Sequence, residues 1–287
     1  MANTFSASLV TDVLRDAAIT QLQSRLAPLS AFTTDFSAEQ IAPRKTIQVP
    51  LATAGSNTQT NASNFESGDS TLSNVAVSVN QYTNSFSITN DQLQQGHRLQ
   101  NLAKINLAQL ANKIIDVALA PVTTANFGAA VVDVDTANLV TAASLKTLWG
   151  ALKDGDVRNL VVDGSIYAQF LPTALDQYQL AAGGKNVGMY GFDLFTYNNR
   201  WSGAGATIQG FACSPQAVAV ASGVPAASPA DSDMISQELV TVPDLGLTVQ
   251  LNLWTSRSSR ALWASYDVMF GAAKGDGNAL KLLVLTP

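Results

Sequence analysis

The sequence predicts an α+β protein organised around a long β-hairpin and the amphipathic helix that follows it. Two apolar segments with the alternation of strands flank a polar stretch rich in turn residues, which is the pattern of a hairpin. The next segment repeats its apolar side chains with the helical period. Charged residues make up only 13% of the 287-residue chain, against a usual share of about 25%. So little surface charge is expected where copies of a chain cover one another.

The hairpin is predicted within residues 46–96, which contain no lysine or arginine. Each flank has one apolar face, formed by Ile47, Val49 and Leu51 in the first and by Val75, Val77 and Val79 in the second. A further alternating set, Tyr82, Phe86 and Ile88, is out of phase with the second flank. A bulge or bend is therefore expected near residues 80–81. Residues 55–70 have the composition of a turn and loop.

The predicted hairpin is long for its apolar content. Strands of about twenty residues, at about 3.3 Å per residue, would reach roughly 60 Å. An isolated two-stranded ribbon is marginally stable in water. We therefore expect contacts outside its own domain to hold the hairpin, which favours a role in assembly over one in catalysis.

Two long helices are predicted, one on either side of the hairpin in the chain. Residues 8–27 follow the 3.6-residue period and are closed by Pro28. Residues 99–120 are closed by Pro121, which cannot continue the hydrogen-bond ladder. The second helix carries one apolar stripe, formed by Ala103, Leu107, Leu110, Ile114 and Val117. Such a stripe predicts a helix packed on one side only.

Residues 139–224 are predicted to form a compact α/β unit inserted into the larger fold. Its helices are expected over residues 142–153, capped by Thr141, and from Asp163 onwards. Its strands are expected at residues 159–162, 192–197, 206–213 and 217–221. Residues 225–287 are dominated by strands, predicted at 238–242, 245–254, 261–266 and 280–285. The last strand is expected to return the chain to the domain that holds the long helix.

Composition excludes several classes of function. A net charge of −5 disfavours a dedicated nucleic-acid binder, because phosphate binding needs clustered lysine and arginine. The single histidine, His97, and the single cysteine, Cys213, do not suffice for a zinc site or a catalytic triad. No phosphate-binding or nucleotide-binding motif is complete. We therefore predict a protein that is not an enzyme and binds no cofactor or metal. Neither a signal peptide nor a membrane-spanning run is expected.

The order of these parts resembles the capsid fold of tailed double-stranded DNA phages, known as the Hong Kong phage fold. The stretches GFACSPQAVAVA at 210–221 and LWASYDVMFG at 262–271 are similar to the end of major capsid proteins. The resemblance implies an N-terminal arm at 1–43 and a β-hairpin E-loop at 44–96. It further implies a spine helix with part of the peripheral domain at 97–138. An axial domain would occupy 139–224, and the peripheral strands 225–287.

The resemblance also implies a function. A major capsid protein assembles into pentamers and hexamers of an icosahedral shell that encloses viral double-stranded DNA. Its partners would be copies of itself, a portal, and separate scaffolding and cement proteins. It would be assembled in the host bacterial cytoplasm and reside in the virion. Some members of the family crosslink an E-loop lysine to a neighbour, but this hairpin has no lysine after Lys45, so no covalent crosslinking is expected.

Two alternatives remain open at this stage, an encapsulin-type nanocompartment shell and another phage structural protein. Seven residues are candidates for contacts between subunits. At the hairpin tip an aromatic anchor is surrounded by polar and acidic side chains. Three arginines elsewhere in the chain are candidates to receive this tip on a neighbouring subunit. The candidates are Asn64, Phe65, Glu66, Asp69, Arg44, Arg257 and Arg260. Each of them is equally compatible with an ordinary solvated residue.

Overall fold

The computed structural model describes residues 7–33, 39–40, 46–53, 71–89, 96–134, 140–152, 157–170, 191–197, 208–225, 233–242, 245–256 and 261–285. The helices within them are α1 (Ala7–Leu26), α2 (Gly96–Leu119), α3 (Thr124–Phe127), α4 (Ala142–Ala151) and α5 (Gly164–Gln169), with a short 3-10 helix at Ala27–Ala31. The strands in the first half are β1 (Glu39–Gln40), β2 (Thr46–Thr53), β3 (Thr71–Ser78), β4 (Asn80–Ile88), β5 (Val132–Val134) and β6 (Asn159–Val162). The later strands are β7 (Asp193–Thr196), β8 (Ile208–Cys213), β9 (Val218–Val224), β10 (Met234–Thr241), β11 (Thr248–Ser256), β12 (Ala261–Lys274) and β13 (Leu280–Leu285).

The large sheet is built around β12, its longest strand. The strand order is β1–β9–β12–β11–β10, and β4 also pairs with β12. One edge of β12 is antiparallel to β11, whereas the other is shared by β4 and β9. Alternation in the sequence predicts only residues 261–266 of this strand, because residues 268–273 lack alternating polar side chains. Most of these residues are buried, which removes the alternation that marks a half-exposed strand.

Helices α1 and α2 cover one face of the large sheet, and together they enclose the main hydrophobic core. The predicted stripe of α2 is confirmed, since Leu107 and Ile114 are fully buried within that core. The buried surface of α2 is wider than predicted and includes Ala111, Ile115 and Ala118. The reason is that α2 packs against α1 on one side and against β4 and β12 on another. Among the described helices, none combines the length and apolar character needed to cross a membrane.

A second sheet has the order β5–β13–β8–β6–β7, and α4 and α5 pack on it around a separate core. The predicted cap is confirmed, since Thr141 accepts a hydrogen bond from the Ser144 amide. The predicted helix start at Asp163 is confirmed as well, and the side chain of Asp163 caps it by accepting from the Ser165 amide. Strand β9, which was placed in the inserted unit, belongs to the large sheet. The closing strand β13 belongs to this second sheet. The division of the chain into domains stays a proposal. These pairings argue for assigning β9 to the domain of the large sheet and β13 to the domain of the second sheet.

The predicted hairpin is formed by β2 and β3, which are antiparallel from the pair Thr46–Ser78 to the pair Thr53–Thr71. The predicted change of phase is also confirmed. Pairing with β2 ends at Ser78, and from Asn80 the chain continues as β4 along β12. Val79 lies between the two strands, so one continuous extended segment links the hairpin to the large sheet. The short strand β1 pairs parallel to β9.

Candidate subunit contact surfaces

The hairpin is anchored at its base by the large sheet of its own chain. The buried side chains of this contact are Val49, Val77 and Val79 from the hairpin and Ala219, Ala221 and Met269 from the sheet. The two backbones come close together at Gly271 of β12. A Cβ there would overlap the carbonyl oxygen of Ser78 and lie 2.9 Å from its carbonyl carbon. The base of the hairpin is thus held by the large sheet of its own chain, and the further contacts expected from outside its domain stay a prediction.

Away from the base, the hairpin is less covered. Val75 is half-buried where Val77 is fully buried, and Ser73 is exposed. The opposite face of the paired strands is exposed at Gln48, Pro50 and Asn74. On the same face as Val75 and Val77, Leu51, paired with Ser73, stays buried, so the β3 side of that face is the less covered one. The opposite face is exposed at the residues named above.

The seven predicted contact residues lie outside the described residues. Asn64, Phe65, Glu66 and Asp69 belong to the segment between β2 and β3, and Arg44 precedes β2. Arg257 and Arg260 belong to the segment between β11 and β12. The structure therefore does not test whether these seven residues lie close together, and their roles stay predictions. The side chain of His97, in the first turn of α2, also lies outside the description.

A second candidate surface is the face of the large sheet that points away from α1 and α2, here called the outer face. Its side chains form rows across β10, β11, β12 and β4, because residues paired directly across strands share a face. One row consists of Gln237, Asn252, Ser265 and Ser85, and the next consists of Leu239, Gln250, Asp267 and Thr83. The end residues of both rows are exposed, whereas the four central side chains are at most 8% exposed.

The four central side chains form a hydrogen-bonded polar network. Asn252 Nδ2 donates to Asp267 Oδ2 at 2.5 Å and to Ser265 Oγ at 3.4 Å. Ser265 Oγ donates to Asp267 Oδ2 at 3.1 Å. Asn252 Oδ1 accepts from Gln237 Nε2 at 2.9 Å and from Gln250 Nε2 at 3.1 Å. Two buried oxygens of the network, Asp267 Oδ1 and Gln250 Oε1, have no partner among the described residues.

Apolar side chains border this network. Trp254 and Trp263 are paired across β11 and β12, with their rings stacked at a centroid distance of 6.3 Å. On the edge strand β10, Leu239 is 59% exposed and Ile235 is 38% exposed. Aromatic and aliphatic anchors around a polar centre are typical of surfaces that contact another protein.

The described residues give little support for catalysis. They contain no cluster of three or more histidine, cysteine, aspartate or glutamate side chains that could hold a metal. Cys213 is buried, and burial raises the pKa of its thiol, which keeps it protonated and unreactive. A cleft of about 330 Å³ lies where α1, α2 and β7 meet, lined by Arg25, Asn112 and Tyr197 among others. Burial also raises the pKa of Tyr197, which therefore stays neutral.

No protein-family model matches the sequence, and no curated protein matches it. Solved structures do match over most of the chain. A structure described as the capsid of a native GTA particle shares 11% identity, covers 92% of this chain and 91% of its own, and has a TM-score of 0.55. A structure from Gordonia phage Cozz shares 13% identity, covers 92% and 87%, and has a TM-score of 0.53.

This chain has the capsid fold of tailed phages. The predicted fold class is thereby confirmed. Because the sequence identities lie far below 25%, the likeness shows the fold and not the function. A virus-like particle from Pyrococcus furiosus matches as well, with 10% identity, coverage of 96% and 98%, and a TM-score of 0.51. The capsid fold thus occurs in more than one kind of particle.

Within the capsid fold, the polar network of the outer face is the feature that sequence reasoning missed. Gln250 and Asn252 alternate with apolar residues along β11, as Ser265 and Asp267 do along β12. That alternation is typical of side chains that face solvent. The available signal was an aspartate at the centre of a long strand, where aspartate is disfavoured.

Proposed function

We propose that this chain is a major capsid protein that assembles into pentamers and hexamers of an icosahedral shell enclosing viral double-stranded DNA. The observation that carries the proposal is the extent of the likeness. The capsid fold covers 92% of this chain and 91% of the GTA capsid chain, so whole subunits and not a single shared sheet are alike. Capsid subunits of this fold are structural, and the same is proposed here.

The hairpin supports self-assembly on physical grounds. Its base is buried on the large sheet, while the face that carries Gln48, Pro50 and Asn74 is exposed. A two-stranded ribbon gains stability when a further surface covers it. In a shell, a neighbouring copy provides that surface. The exposed edge strand β10 and the outer face would provide further contacts.

Seven residues are proposed to contact neighbouring subunits: Asn64, Phe65, Glu66, Asp69, Arg44, Arg257 and Arg260. Further partners would be a portal and separate scaffolding and cement proteins. The shell would enclose DNA without reading its sequence, which suits a net charge of −5 because an acidic wall does not trap the genome. Assembly would take place in the host bacterial cytoplasm, and the protein would reside in the virion.

We propose that the contacts are non-covalent, because residues 46–97 include no lysine that could form an isopeptide bond. Purified particles boiled in detergent are expected to migrate as a single band at the 30.1 kDa monomer mass. A ladder of higher bands would contradict this part of the proposal without affecting the rest.

The proposal is tested by purifying the full chain and examining it by size-exclusion chromatography and negative-stain electron microscopy. Shells of uniform diameter are expected. A chain that stays monomeric in its purified form, alone and with the other structural proteins of its particle, would overturn the capsid function.

The second candidate is an encapsulin-type nanocompartment, a shell of the same fold that encloses enzymes. The likeness to a structure described as a virus-like particle from Pyrococcus furiosus supports keeping it, because the fold is not confined to structures described as phage capsids. The two are distinguished by the contents of particles purified from their natural source. Double-stranded DNA and a portal are expected for a virus. A protein cargo without DNA would favour the compartment.

A further inference from the structure

The direction of the hydrogen bonds on the outer face is set by Asp267. An ionised carboxylate only accepts hydrogen bonds. Asn252 must therefore present its NH₂ group to Asp267, and its amide oxygen must face the two glutamines. Gln237 and Gln250 must in turn present their NH₂ groups to that oxygen. This order leaves the amide oxygen of Gln250 without a donor from the described residues, and rotating the amide would place two oxygens face to face.

The two oxygens without a partner belong to one cross-strand pair. Gln250 of β11 is in register with Asp267 of β12, and both side chains point to the outer face. Gln250 is 3% exposed and Asp267 is 7% exposed, so water is largely excluded from both. A buried acceptor without a donor is unfavourable, and a carboxylate more so. Each of the two oxygens therefore lacks a hydrogen-bond donor, and the donor that Asp267 Oδ1 lacks would face a carboxylate.

We propose that a lysine or arginine side chain of a second copy of this chain completes the Gln250–Asp267 pair when subunits assemble. The inference rests on the proposed shell function and identifies one of its contacts. A cationic side chain has several N–H donors and no acceptor, so it can satisfy both oxygens at once. The row that contains the pair ends in the exposed residues Leu239 and Thr83. Because the two oxygens are themselves buried, a long side chain reaches them only by displacing one of these end residues.

A metal ion fits these oxygens less well than an organic cation. Hard divalent cations usually take six to eight oxygen ligands, several of them from carboxylates. The described residues provide a single carboxylate here, and no cluster of three acidic or other metal-binding side chains exists among them. The apolar surroundings, Trp254, Trp263 and Leu239, suit the aliphatic stem of a long cationic side chain.

The test uses the variant Asp267→Asn in the full chain. The introduced amide keeps an oxygen for Asn252 and Ser265 and gains an NH₂ group that can donate to Gln250. The unassembled subunit should therefore unfold at the same temperature as the wild type or a few degrees higher, roughly 2–4 °C. The contact between subunits loses its ion pair, so the critical concentration for shell assembly should rise at least about tenfold. A subunit that is no less stable, together with a shell that assembles less readily, is the signature of the proposal.

A second variant, Gln250→Leu, keeps the carboxylate and removes the neutral acceptor. It also removes the hydrogen bond that Gln250 Nε2 donates to Asn252 Oδ1, an oxygen that still accepts from Gln237. It should raise the critical concentration by about three- to tenfold without destabilising the subunit. The control Asp193→Asn makes the same change of charge at an exposed residue of β7 and should leave both quantities unchanged. If Asp267→Asn fails to fold, the Gln250→Leu variant decides the question.

Three results would overturn the inference. If Asp267→Asn destabilises the subunit and leaves assembly unchanged, the carboxylate is satisfied within its own chain. If calcium ions raise and EDTA lowers the unfolding temperature of the wild-type subunit, and Asp267→Asn abolishes both effects, the site binds a metal. If wild-type shells form and neither variant alters them, this contact is absent while the capsid function stands. A wild-type chain that never assembles removes both proposals.

Discussion

The hydroxyl of Tyr266, at the centre of β12, donates a hydrogen bond of 3.0 Å to the carbonyl oxygen of Leu14 in the middle of α1. Both residues are fully buried, and the contact joins chain positions 252 residues apart. Burial raises the pKa of Tyr266, so the phenol stays protonated and can act as the donor. The N-terminal helix is thus fixed to the large sheet by a specific polar contact as well as by apolar packing.

Replacing Tyr266 with phenylalanine should lower the free energy of unfolding by about 0.5–1.5 kcal/mol, the net value of one buried hydrogen bond. Tyr197→Phe is the matched control, because the Tyr197 hydroxyl is buried and has no hydrogen-bond partner in the part of the chain that the structure describes. Its removal should be neutral or stabilising. Urea denaturation of the unassembled subunit measures both variants. An equal decrease in the free energy of unfolding of both variants would show that the hydrogen bond of the Tyr266 hydroxyl adds nothing specific to stability.

A glycine is required where the hairpin approaches the large sheet. In the variant Gly271→Ala the new methyl group would overlap the backbone of Ser78, and backbone cannot move aside as a flexible side chain can. We expect a loss of about 1–3 kcal/mol from overpacking, or a displaced hairpin. Limited proteolysis between β2 and β3 and chemical denaturation report these two outcomes.

Gly150→Ala is the control for that substitution. Gly150 lies in α4, where no heavy atom of the described residues comes within 4 Å of a new Cβ, so alanine there should stabilise the helix, by up to about 1 kcal/mol. If both alanine variants behave alike, the close approach at Gly271 is not a constraint on the fold.

Local patterns of the sequence were sufficient to predict most helices and strands. The 3.6-residue period located α1 and α2, and the side chains of Thr141 and Asp163 correctly marked two helix starts. Alternation located β2 and β3 and the change of phase before β4. Each of these signals depends only on residues that are close in sequence.

Features that depend on distant residues were predicted less well. Which sheet β9 and β13 join depends on pairing with strands far along the chain, and nothing in their own sequence encodes it. Alternation in β11 and β12 shows which side chains share a face, yet it does not show that Gln250 and Asp267 are buried there. The predicted contact residues lie outside the described residues, so their roles stay predictions from the sequence.

Alkaline pH should destabilise the subunit. Burial raises the pKa values of the Cys213 thiol and of the Tyr197 and Tyr266 hydroxyls above ordinary values of 9.0 for the thiol and 10.0 for the hydroxyls. Above pH 9 the unfolded chain loses these protons first, so it binds fewer protons than the folded chain. The free energy of unfolding must then fall with rising pH, by up to about 1.4 kcal/mol per unit and per group. Below pH 8 these groups contribute no pH dependence.

The variant Cys213→Ala isolates the thiol within this effect. In the unfolded chain the thiol ionises about one pH unit below the tyrosines. In the variant, therefore, the free energy of unfolding should begin to fall near pH 10, whereas in the wild type it begins to fall near pH 9. Denaturation midpoints at half-unit steps between pH 8 and 11 provide the measurement. Identical curves for variant and wild type would show that the thiol ionises equally in both states.

Phe65→Ala tests the proposed role of the hairpin tip. Phe65 lies in the chain between the paired strands Thr46–Thr53 and Thr71–Ser78, so its loss should leave the subunit fold and its unfolding temperature unchanged. An aromatic anchor at a subunit contact typically contributes about 2 kcal/mol or more, so the shells should dissociate at a lower denaturant concentration, or assemble in reduced yield. Thr58→Ala, in the same segment, is the control and should behave as the wild type. Unchanged particle yield and heat stability in Phe65→Ala would remove this residue from the contacts and leave the anchored base of the hairpin and the outer face as the surfaces to examine.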